Sequence, residues 1–252
     1  MESKFAAQLY TLREELKGGI RPLFKSLKDM GWAGVQISSL PEGYDPNEVA
    51  FALKENNLGA AGMHISLERL QTDLENVLQE ANLYGTKDII CPSVPKEMQN
   101  KTGFRELKTN LNEIAQKAPS YRISYHNHAF EFQTTIDGQN ALRYLLDPVD
   151  NNQILAEIDV YWVKKGGQDP VEFIAPYTNR MPIIHLKDMT KDDRQTFAEV
   201  GEGVIDFLPL LEWGETNGVK WYVVEQDVCE RPPLDCLQTS LTNLKKFARK
   251  LK

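Results

Sequence analysis

The chain has 252 residues, a net charge of −7 and an isoelectric point near 5.3, with 41% hydrophobic and 26% charged residues. This composition is that of a globular protein with a buried core, arranged as one large domain or two small ones. The acidic balance disfavours a protein that grips nucleic-acid phosphates, and no stretch reaches the roughly 18 apolar residues of a membrane helix. The N-terminal segment carries charges where a signal peptide needs an apolar run, so we expect a cytoplasmic protein.

Short apolar runs alternate with longer segments of helical period, a pattern typical of strand–helix units and a parallel sheet. The predicted strands are 4–10, 33–38, 58–66, 87–92, 122–128, 154–160, 181–188 and 219–227. Helical segments follow them, for example at 20–30, 67–85 and 234–252. Eight such units in about 250 residues predict an α/β fold, a single (β/α)8 TIM barrel that spans residues 1–252. A doubly wound open sheet is the alternative, but no GxGxxG motif follows the first strand.

The four histidines all fall at the C-terminal ends of predicted strands. His64 ends the third strand, His126 and His128 end the fifth, and His185 lies near the end of the seventh. Active sites of TIM barrels are built at this end of the barrel. We therefore expect the histidines to line a site, although a core histidine satisfied by one hydrogen bond would explain any one of them.

Acidic residues occupy the same ends of two further strands. Asp159 ends the sixth strand and Glu225 lies near the end of the eighth. Since side chains alternate faces along a strand, both can point inward together with His185. Glu131, or a histidine of the fifth strand, would add a fourth ligand to a set of nitrogen and oxygen atoms that suits Mn²⁺, Zn²⁺, Co²⁺ or Mg²⁺. The alternative is a buried ion-pair network in which Lys187 is the cation.

Several segments closely resemble the xylose isomerase-like TIM-barrel family, which includes sugar isomerases and epimerases, inosose dehydratase and, more distantly, endonuclease IV. They are QLYTLREEL, YHNHAFEF, EIDVYWV, IIHLKDM, EVGEGVIDF and VVEQD, and together they run over essentially the whole chain. The resemblance implies one divalent metal ion held by Glu131, Asp159, His185 and Glu225. If the loop that carries Glu131 points away, His126 or His128 is the substitute ligand.

The resemblance also implies a metal-dependent isomerase or epimerase acting on a sugar, a keto-sugar or a sugar phosphate. Glu131 and Glu225 would exchange a proton with the carbon next to a carbonyl group, through an enediolate. The expected substrate contacts are His64, His126, His128 and Lys187. Loss of a hydroxyl or glycosidic oxygen at the same site would instead make the protein a dehydratase or lyase acting on an inosose or a 3-keto-glycoside.

Two other classes are disfavoured by the residues. Endonuclease IV binds three zinc ions, which demands more histidines and carboxylates than this acidic chain with four histidines offers. A barrel that only binds a sugar would be expected to show a broken ligand set. We therefore expect a small-molecule sugar as the partner, without nucleic acid or membrane, and a homo-oligomer by analogy with the family.

Overall fold

The computed structural model describes residues 1–251, in which eight parallel strands close into a barrel. The strands are β1 (Phe5–Gln8), β2 (Gly34–Ile37), β3 (Gly59–His64), β4 (Asp88–Cys91), β5 (Arg122–His126), β6 (Leu155–Asp159), β7 (Ile183–Leu186) and β8 (Trp221–Val224). Each pairs in parallel with the next, and β8 pairs with β1 to close the sheet. The predicted TIM barrel is confirmed, and each strand is shorter than the apolar run that predicted it.

Helices on the outside of the barrel connect the strands. They are α1 (Ile20–Met30), α2 (Pro46–Glu55), α3 (Leu67–Thr72), α4 (Leu74–Tyr84), α5 (Lys101–Lys117), α6 (Ala141–Leu146), α7 (Val160–Lys165), α8 (Pro170–Ile174), α9 (Phe207–Thr216) and α10 (Pro233–Lys250). The segment predicted as one helix at 67–85 is two helices, because Asp73 has a φ of −138° and ends α3. Residue 252, which ends the predicted helix 234–252, lies outside the described residues. Within residues 1–251, no helix is both long and apolar enough to cross a bilayer.

The barrel interior is apolar towards the N-terminal ends of the strands. Trp221 packs there against a buried cluster formed by Ala6, Ala61, Ile90, Ile183 and Val223. Two glycines make room for its indole ring: a Cβ atom added to Gly34 would lie 2.9 Å from the ring and 2.6 Å from the carbonyl oxygen of Gly59. A close approach of this kind is one of the reasons for glycine inside a strand.

The same inward face becomes polar two residues further along the strands. Gln8 follows Ala6 on β1, His185 follows Ile183 on β7, and Glu225 follows Val223 at the end of β8. The alternation of side chains along a strand therefore places a polar layer directly above an apolar one. This polar layer lies at the C-terminal end of the barrel, where the sequence predicts the site.

Substitution of Gly34 by alanine tests the close packing under Trp221. We expect Gly34→Ala to lower the free energy of unfolding by about 1–3 kcal/mol, because the added methyl group overpacks the indole ring and a backbone carbonyl. Gly18→Ala is the matched control, since no atom lies within 4 Å of a Cβ atom added there. Denaturant unfolding of both variants measures the difference, and equal stabilities would contradict this account of the barrel interior.

Candidate active site

Four buried side chains from neighbouring strands meet at the C-terminal end of the barrel. His126 ends β5, Asp159 ends β6, His185 lies on β7 and Glu225 directly follows β8. Each offers one ligand atom, and these atoms lie within 4.8 Å of one another. We call these four residues the ligand group. It unites the three residues that the strand pattern selected with one of the two histidines named as substitutes for Glu131.

The spacing and the hydrogen bonds of the ligand group fit a metal ion. His185 Nδ1 lies 3.3 Å from Glu225 Oε2, and His126 Nε2 lies 3.9 Å from Asp159 Oδ2. Neighbouring ligands around a tetrahedral ion bound at about 2.1 Å are about 3.4 Å apart. Asp159 Oδ1 accepts the backbone N–H groups of Tyr161 and Trp162, whereas the buried Oδ2 makes no aligned hydrogen bond and lies 3.1 Å from the Lys187 ammonium. A buried carboxylate oxygen of this kind is stabilised by a cation.

The charge distribution also favours a cation at the ligand group. Burial disfavours the charged form of His185, but Glu157 and Glu225 outweigh it and raise the pKa of His185 to about 10. Burial raises the pKa of Asp159 to about 6, although Lys187 and His185 act in the opposite direction. The carboxylates thus favour a proton on the His185 imidazole. A divalent ion would take the place of that proton and bind the neutral imidazole.

Lys187 contacts the carboxylate oxygens of the ligand group directly. Its buried ammonium is 2.6 Å from Asp227 Oδ2, 2.8 Å from Glu225 Oε2 and 3.1 Å from Asp159 Oδ2. It is not among the residues that line the cavity beside the ligand group. The position therefore gives no support to the prediction that Lys187 contacts substrate, and it instead makes Lys187 the counter-charge of three carboxylates.

Glu131 is not part of the ligand group, so the expected glutamate ligand needs correction. The loop after β5 forms a short 3-10 helix, Phe130–Phe132, which turns the carboxylate back towards Tyr125. The Tyr125 hydroxyl donates to Oε1 at 2.8 Å, and the His128 backbone N–H donates to Oε2 at 2.9 Å. Burial raises the pKa of Glu131 to about 8. Tyr125 belongs to the core between barrel and helices, so Glu131 lies on that side of β5. Because Glu131 is turned away from the ligand group, its position does not support the predicted role in proton transfer.

A cavity of about 320 Å³ opens beside the ligand group. Its titratable lining residues are His64, His126, His128, Glu225 and Asp227, and its other lining residues are Tyr10, Ser38, Ser39, Pro92 and Ser93. This volume is at the lower end of the range for small-molecule sites. The three predicted histidine contacts are thus all at the cavity, together with one carboxylate of the ligand group.

His128 is the cavity residue best placed to exchange a proton. Burial, and then the charge of Lys187, lower the pKa of His128 to about 4, so the imidazole is neutral at physiological pH. Its Nδ1 atom is buried without a hydrogen-bond partner. The ring packs against Phe130 and Trp162, which fixes its orientation. Unlike His126, His128 is outside the ligand group.

The sequence analysis missed two glutamines in the polar layer. Gln36 Oε1 lies 2.6 Å from His185 Nε2 and accepts from Gln8 Nε2 at 2.5 Å. Gln8 Oε1 in turn accepts from the Ser38 hydroxyl. The signal was present, because both glutamines lie within apolar runs predicted as strands. A buried amide in such a run requires a hydrogen-bonding partner inside the barrel.

These features define a TIM-barrel protein with a candidate metal centre and an adjoining small-molecule cavity at the C-terminal end of its strands. Residues 24–247 match the model of the family described as xylose isomerase-like TIM barrel. The chain belongs to this family.

Three similar proteins carry enzyme names. An inosose dehydratase from Clostridium perfringens is 24% identical over 234 residues, which cover 83% of this chain and 74% of the relative. A solved sugar phosphate isomerase/epimerase from Parabacteroides distasonis superposes with a TM-score of 0.81 at 21% identity, covering 100% of this chain and 96% of that one. The probable 3-DHS dehydratase of Bacillus anthracis superposes with a TM-score of 0.69 at 14% identity, covering 96% and 98%. The two solved structures support the fold.

The ligand group predicts about one divalent ion per chain. We expect untagged protein to take up Zn²⁺, Mn²⁺ or Co²⁺, and Asp159→Asn to lose it, because the amide keeps the hydrogen bonds to α7 but removes a ligand charge. Occupancy measured by mass spectrometry should fall at least about tenfold in the variant. Asp193→Ala, at an exposed aspartate, is the control. Full occupancy in Asp159→Asn would contradict this ligand assignment.

The position of Lys187 predicts a large effect on stability. Lys187→Met leaves three clustered carboxylates without their ammonium, so we expect the free energy of unfolding to fall by about 3–5 kcal/mol. The exposed Lys54→Met should change it by less than about 0.5 kcal/mol. Denaturant unfolding of the metal-free proteins measures both, and a small loss for Lys187→Met would show that the carboxylates do not depend on this cation.

Proposed function

We propose that this protein is a metal-dependent lyase that removes water from a keto-polyol, such as a keto-inositol or a keto-sugar. The observation that carries the proposal is that His128, the residue best placed to transfer a proton, lies outside the ligand group. Glu131, expected to be the second of two proton-exchanging glutamates, points away from the cavity, and the neutral imidazole of His128 faces it. The curated relatives named inosose dehydratase support the same reaction class.

The ligand group provides two imidazole nitrogens and two carboxylate oxygens. This set favours Zn²⁺, Mn²⁺ or Co²⁺ over Mg²⁺, which prefers oxygen ligands and retained waters. A divalent ion bound there would supply a Lewis acid for the carbonyl group and a neighbouring hydroxyl of the substrate.

His128 performs the proton transfers in this proposal. Its neutral imidazole takes the proton from the carbon next to the carbonyl, and the C–H electron pair forms the new C=C bond. The C–O bond to the neighbouring hydroxyl breaks with both electrons on oxygen. The His128 imidazolium then returns the proton to this oxygen, so that water leaves. One imidazole is sufficient when hydrogen and hydroxyl depart from the same face of the substrate.

The hydroxyl-bearing residues of the cavity wall suit an uncharged polyol. Tyr10, Ser38, Ser39 and Ser93 carry hydroxyl groups that donate and accept hydrogen bonds. Within the described residues, neither lysine nor arginine lines the cavity, while Glu225 and Asp227 do. The cavity wall therefore offers a phosphate group no lysine or arginine side chain of residues 1–251 as a direct partner. The proposed substrate is therefore not phosphorylated.

Isomerisation or epimerisation at the same site is the second candidate. His64 and Glu225 line the cavity as well as His128, so acid–base groups surround the substrate from three different strands. A proton taken by His128 and replaced from another side by one of these groups would yield an epimer. The outcome depends on which groups face the reacting carbon.

Product analysis with His128→Asn tests the proposal. We expect metal-loaded wild-type protein to convert a keto-inositol or 3-keto-glucoside into a conjugated enone, seen by its ultraviolet absorbance. His128→Asn should lower turnover by about 10²–10⁴-fold at unchanged metal content, because it removes the base. Ser93→Ala, at a cavity residue without acid–base function, should lower turnover less than about tenfold.

Proton NMR in D₂O separates the candidates. Deuterium gained at the carbon without loss of the hydroxyl would establish epimerisation or isomerisation and overturn the lyase proposal. Full turnover by His128→Asn would overturn the assignment of the base.

A further inference from the structure

Glu157 is a fully buried carboxylate that lies between the histidines of the polar layer and outside the cavity. A single oxygen, Oε1, is 2.6 Å from His64 Nε2 and 3.1 Å from His185 Nε2. The same oxygen is 3.3 Å from His126 Nδ1, without an aligned hydrogen bond, and that nitrogen has no hydrogen-bond partner among the described residues. One carboxylate oxygen thus faces a nitrogen of each of three imidazoles.

The two histidines of the ligand group turn their other nitrogens towards the ligand carboxylates. His126 presents Nε2 to Asp159, and His185 presents Nδ1 to Glu225. A neutral imidazole carries its proton on only one nitrogen, and an ionised carboxylate only accepts hydrogen bonds. The side facing Glu157 therefore favours protons on His126 Nδ1 and His185 Nε2. The lone pairs then lie on His126 Nε2 and His185 Nδ1, within the ligand group.

We infer that Glu157 sets the tautomer of both histidine ligands and so presents two nitrogen lone pairs to one cation. This inference rests on the metal site of the proposed function. Glu157 is a positioning residue, since it acts through His126 and His185 and contacts neither the cavity nor the reacting atoms. Mutation of carboxylates that orient histidine ligands in this way commonly lowers metal affinity about 10–100-fold.

A role for Glu157 as a ligand itself is disfavoured by its contacts. Glu157, His64, His126 and His185 also bring four ligand atoms within 4.8 Å of one another. However, Oε1 is at hydrogen-bond distance from His64, and Oε2 accepts from Gln36 Nε2 at 2.7 Å. Both oxygens thus already have nitrogen donors, whereas Asp159 Oδ2 makes no aligned hydrogen bond and faces only the Lys187 ammonium at 3.1 Å. The cation therefore belongs on the Asp159 side of the two histidines.

The two histidines should respond differently to loss of Glu157. His185 Nε2 also faces Gln36 Oε1 at 2.6 Å, so a second acceptor holds its proton. His126 Nδ1 has Glu157 alone. We therefore expect Glu157→Gln to disturb mainly His126, and Gln36→Met to disturb mainly His185. This opposite selectivity distinguishes a positioning role from a general loss of structure.

The experiment measures tautomers and zinc affinity separately, on the full chain. Histidine ¹⁵N NMR above neutral pH reports which ring nitrogen carries the proton, with and without Zn²⁺. In the metal-free wild type we expect the His126 proton on Nδ1, and in metal-free Glu157→Gln a mixture of the two tautomers at His126. At His185, whose pKa is raised to about 10, we expect protons on both nitrogens without metal, and a proton on Nε2 alone once Zn²⁺ binds. Competition with a chelator should show about 10–100-fold weaker zinc binding by Glu157→Gln at unchanged stoichiometry. Circular dichroism confirms that both variants fold.

Each outcome decides between alternatives. Wild-type tautomers at His126 in Glu157→Gln would overturn the inference, as would unchanged zinc affinity. Complete loss of the ion in Glu157→Gln, with retention in Asp159→Asn, would make Glu157 a ligand and also overturn it. If the wild type takes up no metal, the proposed function fails. The spectra of the metal-free proteins then still decide whether Glu157 sets the tautomers.

Discussion

The excess of buried negative charge at the C-terminal end of the barrel is the constraint on which the site depends. Asp159, Glu225 and Asp227 each have an oxygen within 3.1 Å of one ammonium, that of Lys187. Buried charges are costly unless they are paired, and one cation does not balance three carboxylates. The imidazole of His185, whose pKa is raised to about 10, offsets part of the remainder. This explains why histidines, which can exchange a proton for a metal ion, lie among these acids.

The apolar lower layer of the barrel makes such a cluster compatible with a stable fold. Trp221 and the small aliphatic residues beneath the site fill the interior without polar atoms, and Gly34 and Gly59 leave room for the indole ring. Above them, Gln8 and Gln36 extend hydrogen bonds from β1 and β2 to His185 on the other side of the barrel. The orientation of the histidine therefore depends on strands far away in sequence.

Features that arise from periodicity could be predicted from the sequence, and features that depend on three-dimensional position could not. Fully buried parallel strands give continuous apolar runs, so all eight were found, and the barrel rule then brought Asp159, His185 and Glu225 together. The direction of Glu131 depends on a 3-10 turn after β5, which has no periodic signal. Glu157 and Asp159 share one face of β6, and the sequence pattern alone does not show that Glu157 contacts His64 whereas Asp159 contacts Lys187.

The replacement of a glutamate by His126 in the ligand group has a chemical consequence for the proposed reaction. Where a glutamate both binds the ion and moves the proton, its basicity is limited by the ion. In the proposed reaction the proton falls to His128, which lies outside the ligand group. With a pKa lowered to about 4, first by burial and then by Lys187, His128 is a weak base whose conjugate acid is strong. In the proposed reaction a departing hydroxide requires a strong acid, which the His128 imidazolium is, while a weak base requires a carbon whose acidity is raised by the carbonyl group and by an ion bound to the ligand group.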